Sequence, residues 1–109
     1  YFFPPQSILY WDHHNQMGDL DSRLSRMELA ANTILGYDNI HLFSFIDCYD
    51  IVCNLDNYYD LEHHTPSVSD KLLAYMKNGE YELTEKNLKS RFDSARKFFS
   101  EYDYNNLYE

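Results

Sequence analysis

The sequence predicts an α/β domain: a strand, a helix, a second strand and a polar loop, then two closing helices. Three observations predict it. "YFF" (1–3) and "NIHLFSFID" (39–47) are apolar-aromatic runs of strand length. Between them Leu20, Leu24, Met27, Ala31 and Ile34 recur at helical spacing. Two further helical patterns follow Pro66 and Thr84. At 109 residues, 44% hydrophobic and 17% aromatic, the chain makes one domain at most and has enough apolar side chains for a core.

Each element has a local reason. Tyr1–Phe3 reads as a strand end, with Pro4 and Pro5 as its exit into a loop. The polar run 12–19, "DHHNQMGD", reads as loop. The first helix begins near Asp19, keeps Arg23, Arg26 and Glu28 off its apolar stripe, and ends at a C-cap, Gly36. Ile40, Leu42, Phe43, Phe45 and Ile46 predict a largely buried strand. "CYDIVCNLDNYY" fits either a helical turn or a short extended piece. The next helix carries Val68, Leu72, Leu73 and Met76 and stops at Gly79, and "YEL" reads as a brief extended link. A helical tail over about 84–104 starts at Thr84 and places Leu88, Phe92, Ala95, Phe98 and Phe99 on one face. Its acidic end, "SEYDYNNLYE", reads as fraying and solvated. A strand–helix–strand unit calls for parallel pairing with a right-handed crossover. Two strands make a poor sheet alone, so further strands are expected from outside this sequence.

Charge narrows the function. A net charge of −9 supplies no basic stripe for nucleic acid and no attraction to an anionic membrane surface. No apolar run approaches transmembrane length, and no signal-peptide pattern opens the chain. The opening "YFFPP" reads like the interior of a folded domain, which predicts a processed product or a piece of something larger. Cys48 and Cys53 are compatible with a disulfide or with two buried thiols. Neither suits a nucleophile, because Asp47, Asp50 and Asp56 surround them with negative charge.

The densest chemistry lies in "NYYDLEHHTP" (57–66), where Asp60, Glu62, His63 and His64 fall within five positions. Asp60 stands three residues before His63. On a turn, such a carboxylate can fold back onto the imidazole N–H and leave the other ring nitrogen as a base. The same residues also suit a solvated or capping turn, or a metal site shared with Asp12, His13 and His14 of "WDHH". Adjacent histidines on an extended loop point apart, so one of each pair at most would reach a common ion. Tyr10 and Trp11 suit either the wall of a sugar-binding cleft or packing at the sheet rim.

The segments "FFPPQSILYW", "NIHLFSF", the Asn57–His63 loop and "GEYELTEKN" (79–87) together resemble the C-terminal half of a bacterial branch of the SGNH (GDSL-like) hydrolases. The resemblance runs from about Phe2 to Asn87. It implies a partial three-layer α/β/α flavodoxin-like domain, with Asp60 orienting His63 and His63 deprotonating a serine that attacks an acyl ester. It implies no cofactor, and a substrate that is an acyl ester, some relatives modifying cell-envelope polysaccharides. It therefore implies an extracytoplasmic or membrane-associated parent, with water or a sugar hydroxyl as acyl acceptor. His64 stands where the family pattern has an aromatic, and Glu62 reads as an exposed bystander.

The family's Gly-Asp-Ser is missing. The nearest string, "LDSRL", puts Ser22 on the polar side of a helix, and Ser7 matches a non-nucleophilic position. The nucleophile is thus expected upstream, on the missing N-terminal half of the domain, and this chain alone is expected to be inactive. Self-association through an unpaired sheet edge is a further expectation, and a non-catalytic binding or structural module is the competing reading.

Overall fold

The computed structural model describes residues 1–108, with the side chains at 106 and 108 left aside. β1 (Phe2–Phe3) leads through Pro4 and Pro5 into α1 (Ile8–Met17) and α2 (Leu20–Leu35). β2 (Leu42–Ser44), a short α3 (Tyr49–Val52) and a 3-10 turn at Leu55–Asn57 follow. α4 (Pro66–Lys77), β3 (Glu82–Leu83) and α5 (Leu88–Glu101) come next, then a 3-10 turn over Tyr104–Tyr108.

The sheet runs β1-β2-β3. β1 pairs parallel to β2, Phe2 opposite Phe43, as a strand–helix–strand unit requires. β3 pairs antiparallel to β2, Leu42 opposite Leu83. The "YEL" link is therefore a third strand supplied from within the chain, a correction to the two-strand expectation. The strand expected over 39–47 is confined to Leu42–Ser44, although burial continues through Ile46.

β2 sorts its side chains by period two. Leu42 and Ile46 join Trp11, Leu24, Phe92 and Phe99 in a core with α1, α2 and α5. Phe43 and Phe45 join Ile51, Val68 and Leu72 in a second core with α3 and α4. Helices thus pack on both faces of a mixed sheet, which is an α/β arrangement.

Three helix expectations change. Residues 12–17 are helical, not loop. Ser7 Oγ accepts from Tyr10 N–H at the start, and Gly18 (φ 79°) ends the helix in the left-handed region. Asp12 and His14 occupy buried positions of this helix, so its inner face does not look apolar in sequence. They are tolerated there because Gln16 Nε2 donates to Asp12 Oδ1 (3.0 Å) and His14 Nδ1 lies 2.9 Å from Asp19 Oδ1. Gly18→Ala has open space for its Cβ yet keeps the positive φ, so a loss of about 1–2 kcal/mol is expected in urea unfolding.

The final helix begins at Leu88, not Thr84. Thr84 N–H donates to Asn87 Oδ1 (2.8 Å) and Asn87 N–H to Thr84 Oγ1 (3.3 Å), a reciprocal turn that precedes the helix. The segment after Glu101 is not simply solvated, since Tyr102, Tyr104 and Leu107 pack against the main core. Leu73, counted on the apolar stripe of α4, is instead 62% exposed. Both cysteines are free thiols: Cys48 is buried, Cys53 half-buried, and burial raises both pKa values.

Candidate functional site

The loop between α3 and α4 is built by its own backbone and by α1. Asn54 Oδ1 accepts from Asp56 N–H, and Asn57 Nδ2 donates to Ile51 O, so the loop leaves α3 through a side-chain-held turn. Tyr58 and His64 form an isolated antiparallel bridge that closes its neck. Tyr58 Oη donates to Pro5 O (2.9 Å), and burial raises that phenol's pKa. Thr65 and Pro66 then open α4, with Pro66 in its first turn as the sequence suggests.

Ser7 is the second anchor. Its N–H (3.1 Å) and Oγ–H (2.7 Å) both donate to Leu61 O, while Oγ caps α1. The serine is fully buried and is a structural clamp, not a nucleophile. Ser7→Ala is expected to cost about 1–2 kcal/mol in urea unfolding, through the lost cap and a weakened Leu61 carbonyl. Faster amide hydrogen exchange over 58–64 should accompany it.

At the tip Asp60 and His63 meet. His63 Nδ1 lies 2.7 Å from Asp60 Oδ2 and 2.9 Å from Oδ1. A carboxylate only accepts, so Nδ1 carries the proton and Nε2 is the free nitrogen. Nε2 has no hydrogen bond among the described residues. Asp60 Oδ1 also accepts from Glu62 N–H (2.9 Å) and His63 N–H (2.8 Å). These two backbone bonds and the imidazole hold the Asp60 carboxyl down to about 2. The Asp60 carboxylate in turn raises the His63 pKa.

The pairing has a pH window. Asp60's share is present above the ordinary carboxylate range and fades as pH falls toward about 2. His63's share is present below the ordinary imidazole value and fades as pH rises through its elevated pKa. A histidine NMR titration should therefore place His63 above the ordinary value, and Asp60→Asn should return it toward that value. An unchanged His63 titration in Asp60→Asn would sink the assignment.

Both side chains are accessible, 74% for His63 and 57% for Asp60. His63 opens onto a cleft of about 380 Å³ lined by Pro4, Gln6, Glu62 and His64. Asp60 borders a separate apolar hollow of about 290 Å³ made by Leu9, Leu55, Tyr58, Tyr59 and Leu61. Pro4 and Gln6 come from the segment just beyond the carboxyl end of β1.

Comparison with family models, curated proteins and solved structures finds no match to this chain.

The other sequence candidates separate from the loop. His64 is half-buried, with Nε2 3.0 Å from Ser69 Oγ, and burial lowers its pKa. No carboxylate bonds its Nδ1 among the described residues, so this pair lacks the orienting group of a triad. Glu62 is exposed. Trp11 is fully buried and stacks on Phe99 at 4.5 Å, so it lines no cleft, and Tyr10 packs edge-on against it with little of its ring exposed. His13 and His14 lie on α1, where His14 turns inward to Asp19 and His13 stays exposed. Among the described residues no group of three His, Cys, Asp or Glu side chains could hold a metal ion. Ser22 is an exposed residue of α2, as its sequence position suggests.

Sequence reasoning missed Gln6. Its Oε1 is buried without a hydrogen-bond partner, at the wall of the His63 cleft. Nothing in the string "PPQSI" marks it, because the cleft forms only when the loop folds over β1.

Proposed function

We propose that this chain supplies the Asp–His part of a Ser-His-Asp triad, Asp60 orienting and His63 acting as general base, in a serine esterase or O-acyltransferase of SGNH type. The observation that carries the reading is the Asp60–His63 Nδ1 contact, which leaves Nε2 without a hydrogen bond among the described residues on a side chain that lines an open cleft. On this reading the sheet belongs to a larger flavodoxin-like three-layer domain. The outer edge of β1 would take a strand whose turn brings the serine to His63, since ligands in open α/β sheets sit beyond strand carboxyl ends.

His63 Nε2 would take the serine proton as Oγ attacks the acyl carbon. The resulting imidazolium, stabilised by Asp60, would return the proton to the leaving alcohol oxygen as the ester C–O bond breaks. Water or a sugar hydroxyl would then resolve the acyl-enzyme by the reverse proton path. The acyl-ester substrate and an extracytoplasmic, envelope-associated parent belong to the same proposal. No helix among the described residues is long and apolar enough to cross a membrane.

The second reading has its own observation. Asp60 Oδ1 caps two backbone N–H groups, so the loop is also a well-made structural turn. That favours a non-catalytic module in which the imidazole merely completes the turn.

The coding region upstream separates the two. A Gly-Asp-Ser after a short apolar strand, with a serine in the longer protein that a fluorophosphonate labels, supports the esterase. An upstream frame without that motif, or a motif serine that never labels, removes it. The present chain alone should neither label nor turn over esters.

A further inference from the structure

We propose that the cavity beside the His63 cleft is an oxyanion-binding subsite, so that the ester this protein handles carries a carboxylate or phosphate group. The placement relative to the ester rests on the esterase reading above; the anion site does not.

The cavity, about 220 Å³, is lined by Gln6, Tyr10, Arg23, Arg26 and Met27. Gln6 also lines the 380 Å³ cleft that holds His63, so the two spaces share one wall. Gln6 therefore stands between the His63 side and the side where Arg23 and Arg26 lie.

The chain has four arginines, and their use is uneven. Arg91 is bound to Asp47, and Arg96 to Asp21, Glu28 and Asp93. Arg23 has a loose contact with Asp19, 3.7 Å, and its Nη1 donates to Tyr10 Oη at 3.2 Å. Arg26, one turn further along α2, has no carboxylate or hydrogen-bond partner among the described residues. In a chain of net charge −9, an unpaired guanidinium next to a second, loosely held one is a local departure from the global field. The planar fork of arginine matches both carboxylate and phosphate oxygens.

The second observation is the Gln6 amide. Its Oε1 is buried without a partner, and its Nε2 makes no hydrogen bond with any described residue. Oxygen and nitrogen of a glutamine interchange by rotation, so this amide can present a donor to an anion or an acceptor to a hydroxyl. An unpaired buried polar atom is costly, and a ligand that pairs it offsets that cost. Asp19 and Glu62 flank the two ends and set a limit: the anionic group must sit between the arginines rather than at the His63 end.

The test uses the chain itself, labelled with nitrogen-15 and titrated with inorganic phosphate, succinate and, as the neutral control, succinamide. Saturable shifts at the Arg26 and Arg23 side-chain N–H groups and the Gln6 amide are expected with one or both anions and none with succinamide. Comparing phosphate with succinate tells which oxyanion is preferred. Arg26→Gln, an exposed change on α2, should weaken anion binding about tenfold or more while the rest of the spectrum stays put. Gln6→Met should weaken it as well. Non-saturating shifts, equal binding by succinamide, or undiminished binding in Arg26→Gln would each overturn the proposal. His63→Ala should still bind the anion, so loss of the esterase reading and loss of this one are read separately.

Discussion

On the esterase reading proposed above, His63→Ala in a longer protein that carries the motif serine is expected to lower ester turnover about 10⁴-fold or more, with binding of the ester retained. The proton of the attacking serine then has no acceptor, and the leaving oxygen has no donor. The side chain is largely exposed and its ion pair with Asp60 is a surface one, so the unfolding midpoint should move little. Asp60→Asn should be milder, about 10²–10⁴-fold, because the amide oxygen can still accept the two backbone N–H bonds that shape the turn. It cannot stabilise an imidazolium as a carboxylate does. The pH profile supplies the sign. Turnover needs neutral His63 and should rise with pH through its elevated pKa, and in Asp60→Asn that limb should move to lower pH. Steady-state kinetics across pH check both. Retained turnover in His63→Ala would take the imidazole out of the mechanism.

Replacing Arg91 by methionine is expected to destabilise the domain by about 3–5 kcal/mol. Arg91 reaches from α5 across the end of the sheet. Its Nε and Nη2 donate to the two oxygens of Asp47 at 3.0 and 2.7 Å, and both side chains are less than a fifth exposed. Nη1 donates to Tyr81 O and Glu82 O, and Nη2 to Ser44 O. One guanidinium thus ties α5, β2, β3 and the turn into α3. Methionine fills the space but leaves an unpaired carboxylate and takes away the Ser44 carbonyl's donor, while Tyr81 O keeps Ser44 N–H and Glu82 O keeps Asn87 Nδ2. Removing the carboxylate as well, in Arg91→Met with Asp47→Leu, should recover part of the loss, because the buried charge is then gone. Urea unfolding of the two variants measures this. A single variant within about 1 kcal/mol of the parent would show that the pair is only an exposed ion contact.

The two sites differ in how far the sequence shows them. Asp60 and His63 are three residues apart on a turn, so the sequence shows that local chain geometry can bring carboxylate to imidazole, although the same spacing also suits a solvated or capping turn; the folded loop makes the bond. Pro66 marks the start of α4 for an equally local reason, its fixed φ and missing N–H. Arg91 and Asp47 are 44 residues apart, and nothing in either neighbourhood marks the pair. Gln6 is the same case, an ordinary amide that gains meaning from two cavities meeting at it.

What the sequence determined by itself is therefore what short range decides: the apolar stripes of α2 and α5, that of α4 apart from Leu73, the buried run around Phe43, and a spacing that lets Asp60 reach His63. Periodicity and spacing carry that information because covalent geometry sets it. Tertiary structure decided the rest. α1 is helical although its inner face carries Asp12 and His14, because Gln16 and Asp19 provide the hydrogen bonds those buried groups need. β3 is a strand although it is two residues long, because β2 offers its edge. Trp11 is core rather than cleft, because Phe99 lies over it. Ser7 is a clamp for the His63 loop, because Leu61 O folds back over 54 residues to meet it. Each depends on a partner distant in sequence, and no local pattern carries the address of such a partner.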